Sequence, residues 1–210
     1  MEATAQKTLL TDAHLAQLET GAPVVIRTSW AEFVAFLPQS TYRTEYHNGQ
    51  LIVVGLASFI HEVLIGNLIA LLKAAYTGKP FFVAGSNVGV LKEAGKGYYN
   101  PDITVVSGRP LFQANSNVII TNPYLIVEVL SESTAGYDLN HNLPKYEQIA
   151  SLQEVVFVDR FEQSVSTFRR TETRNVWIQT NYYLATDLIH IDQFTLSMAD
   201  IFANLPDEDS

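Results

Sequence analysis

The stretch from Tyr124 to Asp159 constrains the fold most, because it predicts a strand, a helix and a second strand in that order. Tyr124–Leu130 is the most apolar strand-like run in the chain, and Glu154–Asp159 is a second run of the same kind. Between them, residues 138–150 carry apolar side chains at helical spacing. This order implies a crossover connection within one sheet. We therefore expect an α/β fold with a mixed central β-sheet flanked by helices.

The remaining elements follow from the same kinds of pattern. Asn48-Gly49 separates two strand-like runs and favours a type I′ hairpin turn. Apolar residues at helical spacing predict a long helix from Ser58 to about Thr77. Capping residues predict short helices after Thr11 and Ser29. Strands are predicted at 81–84, 87–91 and 102–106, in one sheet with 124–130, then at 165–170, 174–180 and 188–191, with a last helix near 198–203.

Composition limits the class of protein. The 210 residues are 47% hydrophobic, which predicts a single domain over 1–210 with short tails at about 1–10 and 205–210. The absence of cysteine excludes disulfide scaffolds, thiol nucleophiles and zinc sites built on thiolates. No signal-like or membrane-spanning run is found, so we expect a cytoplasmic protein without a membrane partner. The net charge of −9 disfavours broad nonspecific contact with a polyanion.

Direct search removes several common active-site signatures. The sequence has no phosphate-binding Gly-x-x-x-x-Gly-Lys-[Ser/Thr], no dinucleotide-binding Gly-x-Gly-x-x-Gly and no Gly-x-Ser-x-Gly elbow. His61-Glu62 is not followed by a second histidine at the spacing of a zinc protease helix.

Two carboxylates remain inside runs that are expected to be buried. Asp102 follows Pro101 at the start of a β-branched run, and Glu128 interrupts the most apolar one. A buried ionised carboxylate is strongly unfavourable unless it is paired, neutralised or bound to a metal. One interpretation has Glu128 protonated or paired with an arginine, and Asp102 simply opening its strand. The other places both on adjacent strands, joined by Glu45 from the hairpin around a divalent cation.

The second interpretation points to a particular chemistry. Ligands that are all oxygen atoms suit Mg²⁺ or Mn²⁺ better than zinc. Such ions activate water and stabilise charge on phosphoryl oxygens. The expected reaction is therefore phosphodiester hydrolysis.

An ordered set of motifs carries a family resemblance. The sequence contains Tyr-x-x-Glu45-Tyr-His-Asn-Gly, His61 at the start of the long helix, Pro101-Asp102, Glu128-Val-Leu-Ser-x-Ser-Thr-x-x-Tyr-Asp138, Tyr146 and Val158-Asp159. In this combination the chain resembles the Uma-two family of restriction-endonuclease-like proteins, which has the PD-(D/E)xK fold. The resemblance runs from roughly Ser29 to Phe202.

The resemblance implies a restriction-endonuclease-like core and an Mg²⁺- or Mn²⁺-dependent endonuclease that acts on DNA. Asp102 and Glu128 would be the metal-binding carboxylates, with the carbonyl of Val129 as a further ligand. Glu45 would be the upstream acidic residue, and His61 an accessory residue that faces the carboxylates.

The resemblance also concerns a lysine. The superfamily carries a lysine two positions after the glutamate, and this position is Leu130 here. The position on the following helix where a substitute lysine is expected is Asn142. Lys145 lies one helical turn further on and is the candidate for stabilising the attacking water. Ser131, Ser133 and Thr134 are interpreted as turn and cap residues, and Tyr146 as a packing residue.

A homodimer is expected, because a twofold pair is the simplest way for single-site chains to cut both strands. Two other functions stay open. The chain can keep the fold and bind DNA or protein without catalysis, or it can be a structural or interaction protein in which Glu128 is a satisfied core carboxylate.

Overall fold

The computed structural model describes residues 9–55, 57–130 and 143–206. These residues form two compact units, one of residues 9–55 and 93–98 and the other of residues 57–92, 99–130 and 143–206. The prediction of one domain over 1–210 stays a prediction.

The first unit contains a hairpin at its centre. Its elements are α1 (Asp12–Glu19), β1 (Val24–Arg27), α2 (Trp30–Phe36), a short 3₁₀ turn (Leu37–Gln39), β2 (Arg43–His47), β3 (Gln50–Val54) and β6 (Gly97–Tyr99).

Local sequence determines most of this unit. Asn48 and Gly49 have φ angles of 46° and 86°, which confirms the predicted turn between β2 and β3. The side chains of Thr11 and Ser29 cap α1 and α2, as predicted. Strands β1 and β6 were not predicted; they pair with β3 and β2 respectively. Phe33 of α2 is fully buried in this unit.

The second unit is built on a six-stranded sheet. Its elements are α3 (Phe59–Ala75), β4 (Phe81–Gly85), β5 (Gly89–Glu93), β7 (Ile103–Ser107), β8 (Ile119–Ile120), β9 (Leu125–Leu130), β10 (Glu154–Asp159), β11 (Ser164–Arg170), β12 (Trp177–Tyr182), β13 (Leu188–Ile191), β14 (Phe194–Ser197) and α4 (Met198–Ile201). The strand order in the large sheet is β12-β11-β10-β9-β7-β4. Strands β9 and β10 are parallel, and every other neighbouring pair is antiparallel, which confirms the mixed sheet and the crossover.

Strand β9 lies between two hydrophobic cores. On one face, Leu64 and Leu68 of α3 belong to a core that includes Val127. On the other face, Tyr146 and Phe157 belong to a second core. All six residues of β9 are buried as a result, including Glu128, which is 8% exposed.

Strand β5 departs from the prediction. We expected residues 87–91 in the same sheet as β4, β7 and β9. Instead β5 pairs in parallel with β8, a two-residue strand that was not predicted. Both edges of β7 are occupied, one by β4 and the other by β9, so β5 does not pair with β7.

Other bounds also differ from prediction. The predicted helix at 138–150 is helical over 143–146 in its described part and then turns, with the Ile149 amide donating to the Tyr146 carbonyl at 2.8 Å. The strand predicted at 174–180 lies at Trp177–Tyr182, because residues 171–175 form the turn from β11. Strand β14 was missed.

No helix within the described residues is long and apolar enough to cross a membrane.

A buried polar network joins β10 to the hairpin of β13 and β14. The Glu154 side chain is 2% exposed, its Oε2 accepts from the Asp192 amide at 2.7 Å, and its Oε1 lies 3.5 Å from Arg169 Nη2. The Tyr124 hydroxyl donates to Asp192 Oδ1 at 2.7 Å, and Tyr76 donates to Oδ2 at 3.4 Å. Burial raises the pKa of Glu154 above its ordinary value, although Arg169 and the Asp192 amide act in the opposite direction.

We expect Glu154→Gln to change how stability depends on pH. A carboxyl group whose pKa is raised on folding keeps its proton longer in the folded state, so the wild type loses stability relative to the variant as pH rises above about 4.5. Urea unfolding of both proteins between about pH 4 and pH 7 measures the difference. Glu162→Gln, at an exposed turn, is the matched control. A stability difference that does not change with pH would contradict the assignment.

Candidate active site

The structure brings Asp102 and Glu128 together on neighbouring strands. Asp102 immediately precedes β7 and Glu128 lies in β9, and the pairing of Ile103 with Val127 places the two carboxylates next to each other. The Asp102 amide donates to Glu128 Oε2 at 3.2 Å, and the Val129 amide donates to Asp102 Oδ2 at 2.8 Å. Asp102 is 2% exposed. The predicted juxtaposition of these two carboxylates is therefore present.

Tyr146 holds the second oxygen of Glu128. The Tyr146 hydroxyl donates a hydrogen bond to Glu128 Oε1, and its ring packs edge-on against Tyr99 with 5.4 Å between centroids. Tyr146 is thus the packing residue that was predicted, and it also contacts the carboxylate, which sequence reasoning missed. Glu128 thus accepts hydrogen bonds from the Asp102 amide and from the Tyr146 hydroxyl.

His61 enters the same site from α3. Ser58 caps that helix by accepting from the His61 amide at 3.3 Å, which places His61 in the first turn. The His61 side chain is buried, at 6% exposure. Its Nε2 lies 3.1 Å from the Val129 carbonyl oxygen and 3.3 Å from Asp102 Oδ2. The accessory residue therefore contacts the two groups predicted to be metal ligands.

Lys145 lies one residue before Tyr146, in the helical segment 143–146, and it is only 6% exposed. Pro144, whose ring removes a backbone donor, is compatible with this short segment because the Glu147 amide still donates to the Leu143 carbonyl. The role of Lys145 stays a prediction. Asn142 lies outside the described residues, as do Ser131, Ser133 and Thr134.

Glu45 belongs to the first unit. It lies on β2, half-buried, and pairs across the hairpin with Ile52. Burial, with a contribution from the Glu45 charge, raises the pKa of Tyr98 to about 12. The role of Glu45 as an upstream ligand stays a prediction.

The donor atoms at the end of β9 fit a hard divalent cation. Asp102 and Glu128 are two buried carboxylates held side by side, an arrangement in which repulsion and desolvation oppose ionisation unless a positive charge lies between them. Together with the Val129 carbonyl they offer the oxygen donors that Mg²⁺ and Mn²⁺ bind. Within the described ranges, no three His, Asp or Glu side chains are grouped as a metal site, so this set depends on the backbone carbonyl.

Comparison with known proteins identifies the family. The model of the Uma2 family, described as "Putative restriction endonuclease", matches residues 30–199. The chain belongs to the Uma2 family. The predicted resemblance is confirmed over almost the whole span expected from the motifs.

Two relatives and a solved structure are also similar to this chain. Two uncharacterized proteins of Synechocystis sp. are 33% and 26% identical to this Uma2 chain. The alignments cover 71% and 80% of this chain and 84% and 86% of the relatives. A crystal structure described as a "putative nuclease" from Anabaena variabilis superposes with a TM-score of 0.69 at 18% identity, covering 83% of this chain and 97% of that one. The predicted restriction-endonuclease-like fold is confirmed.

We expect Tyr146→Phe to destabilise this Uma2 protein by about 1–3 kcal/mol, because a buried carboxylate oxygen loses a hydrogen-bond donor. Urea unfolding measures the change. Tyr183→Phe, at a side chain that is 62% exposed, is the control and is expected to change stability by less than about 0.5 kcal/mol. Equal stability of Tyr146→Phe and wild type would show that the hydrogen bond contributes nothing.

Proposed function

We propose that the protein is an endonuclease that uses Mg²⁺ or Mn²⁺ to hydrolyse phosphodiester bonds of DNA. The observation that carries the proposal is the pair of buried carboxylates, Asp102 and Glu128, joined at the ends of β7 and β9 beside the Val129 carbonyl. The family description supports nuclease chemistry. Metal dependence and the choice of DNA are our extension of it.

Each residue has a distinct task in this proposal. Asp102, Glu128 and the Val129 carbonyl would hold the cation, which when bound polarises a phosphoryl oxygen and lowers the pKa of a water molecule. The Tyr146 hydroxyl keeps Glu128 oriented through its hydrogen bond. Lys145 would stabilise the negative charge that develops on the attacking water, and Glu45 would add an upstream acidic group.

Substrate binding by an acidic chain needs a local reversal of charge. The chain carries a net charge of −9, and the phosphates of DNA are repelled by such a surface. A divalent cation at the site reverses the local sign where the scissile phosphate must lie. We therefore expect DNA binding by this protein to be stronger with the divalent cation than without it.

One observation favours an alternative function. Leu130, at the position of the superfamily's lysine, is 2% exposed and belongs to the second core, so an aliphatic side chain replaces a catalytic cation there. A protein without a substitute lysine would keep the fold and the cation but not the reaction. It would then be a module that binds DNA or protein.

We expect Asp102→Asn to abolish both metal binding and DNA cleavage. Loss of a carboxylate ligand should weaken Mn²⁺ binding by at least about 100-fold, at or beyond the upper end of the effect seen for outer-shell partners. Calorimetric Mn²⁺ titration and nicking of a supercoiled plasmid, on the same preparations, measure the two properties. Asp200→Asn, at an exposed position of α4, is the matched control and should behave like wild type.

The outcomes separate the functions. Mn²⁺ binding and nicking that are both lost in Asp102→Asn support the endonuclease, and Lys145→Ala then tests the proposed charge stabiliser. Stoichiometric binding without nicking by the wild type favours the inactive binding module. No binding by the wild type would contradict the proposal and leave Asp102 and Glu128 as structural carboxylates.

We also propose a homodimer, since two single-site chains related by a twofold axis can address both strands. We expect sedimentation equilibrium to give twice the 23.4 kDa chain mass at assay concentrations. A single species at the chain mass would contradict the dimer.

A further inference from the structure

Three atoms from separate parts of the second unit converge beside the end of β9. The Nε2 atom of His61 lies 3.1 Å from the Val129 carbonyl oxygen and 3.3 Å from Asp102 Oδ2. His61 is separated from Val129 by 68 residues in the chain. Two of the three atoms belong to groups that the proposed function assigns as metal ligands.

The separations match those of neighbouring ligands around one ion. Ligands at about 2.1 Å from an octahedral cation, set at right angles, lie about 3 Å from each other. The two distances from Nε2 are close to this value. Nε2 is within hydrogen-bonding reach of the Val129 carbonyl oxygen, and with the ring proton on Nδ1 its lone pair would face a cation held beside Asp102 and that carbonyl.

We propose that His61 is a nitrogen ligand of the divalent cation, through Nε2. The proposal rests on the proposed function, since it concerns the same cation. It assigns His61 to direct contact with the metal rather than to the accessory role expected from sequence.

The other ring nitrogen has a suitable neighbour. Nδ1 of His61 lies 3.6 Å from Oε1 of Glu62, the next residue of α3. A histidine that binds metal through one nitrogen typically directs the N–H of its other nitrogen to a carboxylate, a carbonyl or water. The Glu62 side chain is 60% exposed and can rotate into hydrogen-bonding range of the Nδ1 N–H, which would leave the lone pair of Nε2 for the metal.

Helix α3 holds the ring in place. His61 lies on the same face of the helix as Leu64, Leu68 and Leu72, which are fully buried in the first core. Rotation of the helix would expose these leucines to water. The ring is therefore presented to Val129 and Asp102 by the packing of the whole helix. Because no three His, Asp or Glu side chains of the described residues are grouped as a metal site, the carboxylates must move toward the ring when an ion binds.

A nitrogen ligand has a consequence for the choice of metal. Imidazole binds first-row transition metals readily, whereas Mg²⁺ is held by carboxylates, carbonyls and water. We expect Mn²⁺ to bind more tightly than Mg²⁺, and the ratio of the two affinities to fall about tenfold or more in His61→Gln, which offers an amide oxygen instead. Competition calorimetry measures the ratio.

Electron spin echo spectroscopy of the full chain loaded with Mn²⁺ tests the contact itself. We expect modulation from a directly bound ¹⁴N nucleus in the wild type, its replacement by ¹⁵N modulation after labelling of histidine alone, and its loss in His61→Gln. Histidine labelling needs no substitution, so it tests for a histidine ligand even if that variant fails to fold. His190→Gln, at an exposed histidine of β13, is the matched control and should keep the signal.

The results distinguish this inference from the proposed function. One Mn²⁺ per chain, lost in Asp102→Asn, with no nitrogen modulation in the wild type would keep the metal site and overturn the role of His61. A nitrogen signal that persists in His61→Gln would also overturn it. Absence of any stoichiometric Mn²⁺ binding by the wild type would overturn both proposals together.

Discussion

The reciprocal hydrogen bonds between the ends of β7 and β9 determine the rest of the site. The amide of Asp102 binds the carboxylate of Glu128, and the amide after Glu128 binds the carboxylate of Asp102. Each carboxylate is thereby oriented by the backbone of the other strand. Hydrogen bonds from backbone amides favour the charged form of a carboxylate. The burial of Asp102 and Glu128, which are 2% and 8% exposed, opposes the charged form. A bound cation would stabilise the charged form.

The packing of the second unit explains why the arrangement is rigid. Strand β9 is covered on one face by α3 and on the other by the core around Tyr146 and Phe157. The residues that contact the carboxylates are drawn from these same two layers. His61 belongs to α3, and Tyr146 belongs to the opposite layer. The hydrophobic cores and the polar site therefore depend on the same contacts, so a site residue that changes volume also disturbs a core.

Sequence reasoning succeeded where the signal was local. The Asn48-Gly49 turn, the caps at Thr11 and Ser29 and the strands β9 and β10 each follow from a few adjacent residues. The order of β9, helix and β10 then gave the parallel pair. Asp102 and Glu128 were identified because a carboxylate in an apolar run requires a physical explanation, which needs no knowledge of its partners.

The missed features depend on residues that are distant in sequence. Strand β8 has two residues, too few for any periodic pattern, and it forms because Gly89 and Val90 lie beside it. The hydroxyl of Tyr146 reaches Glu128 across 18 residues, including some outside the described ranges. The burial of His61 depends on Val129 and Asp102, neither of which is near it in the chain. A single sequence carries no signal for such contacts beyond the family motifs.

The most direct test of the central claim is anomalous diffraction from a crystal of the full chain soaked in Mn²⁺. The account predicts one strong peak at the ends of β7 and β9, about 2.1 Å from oxygens of Asp102, Glu128 and the Val129 carbonyl. A fully occupied Mn²⁺ elsewhere, or no Mn²⁺ bound, with the Asp102 and Glu128 hydrogen bonds unchanged, would contradict it. In that case the two carboxylates would be a structural pair.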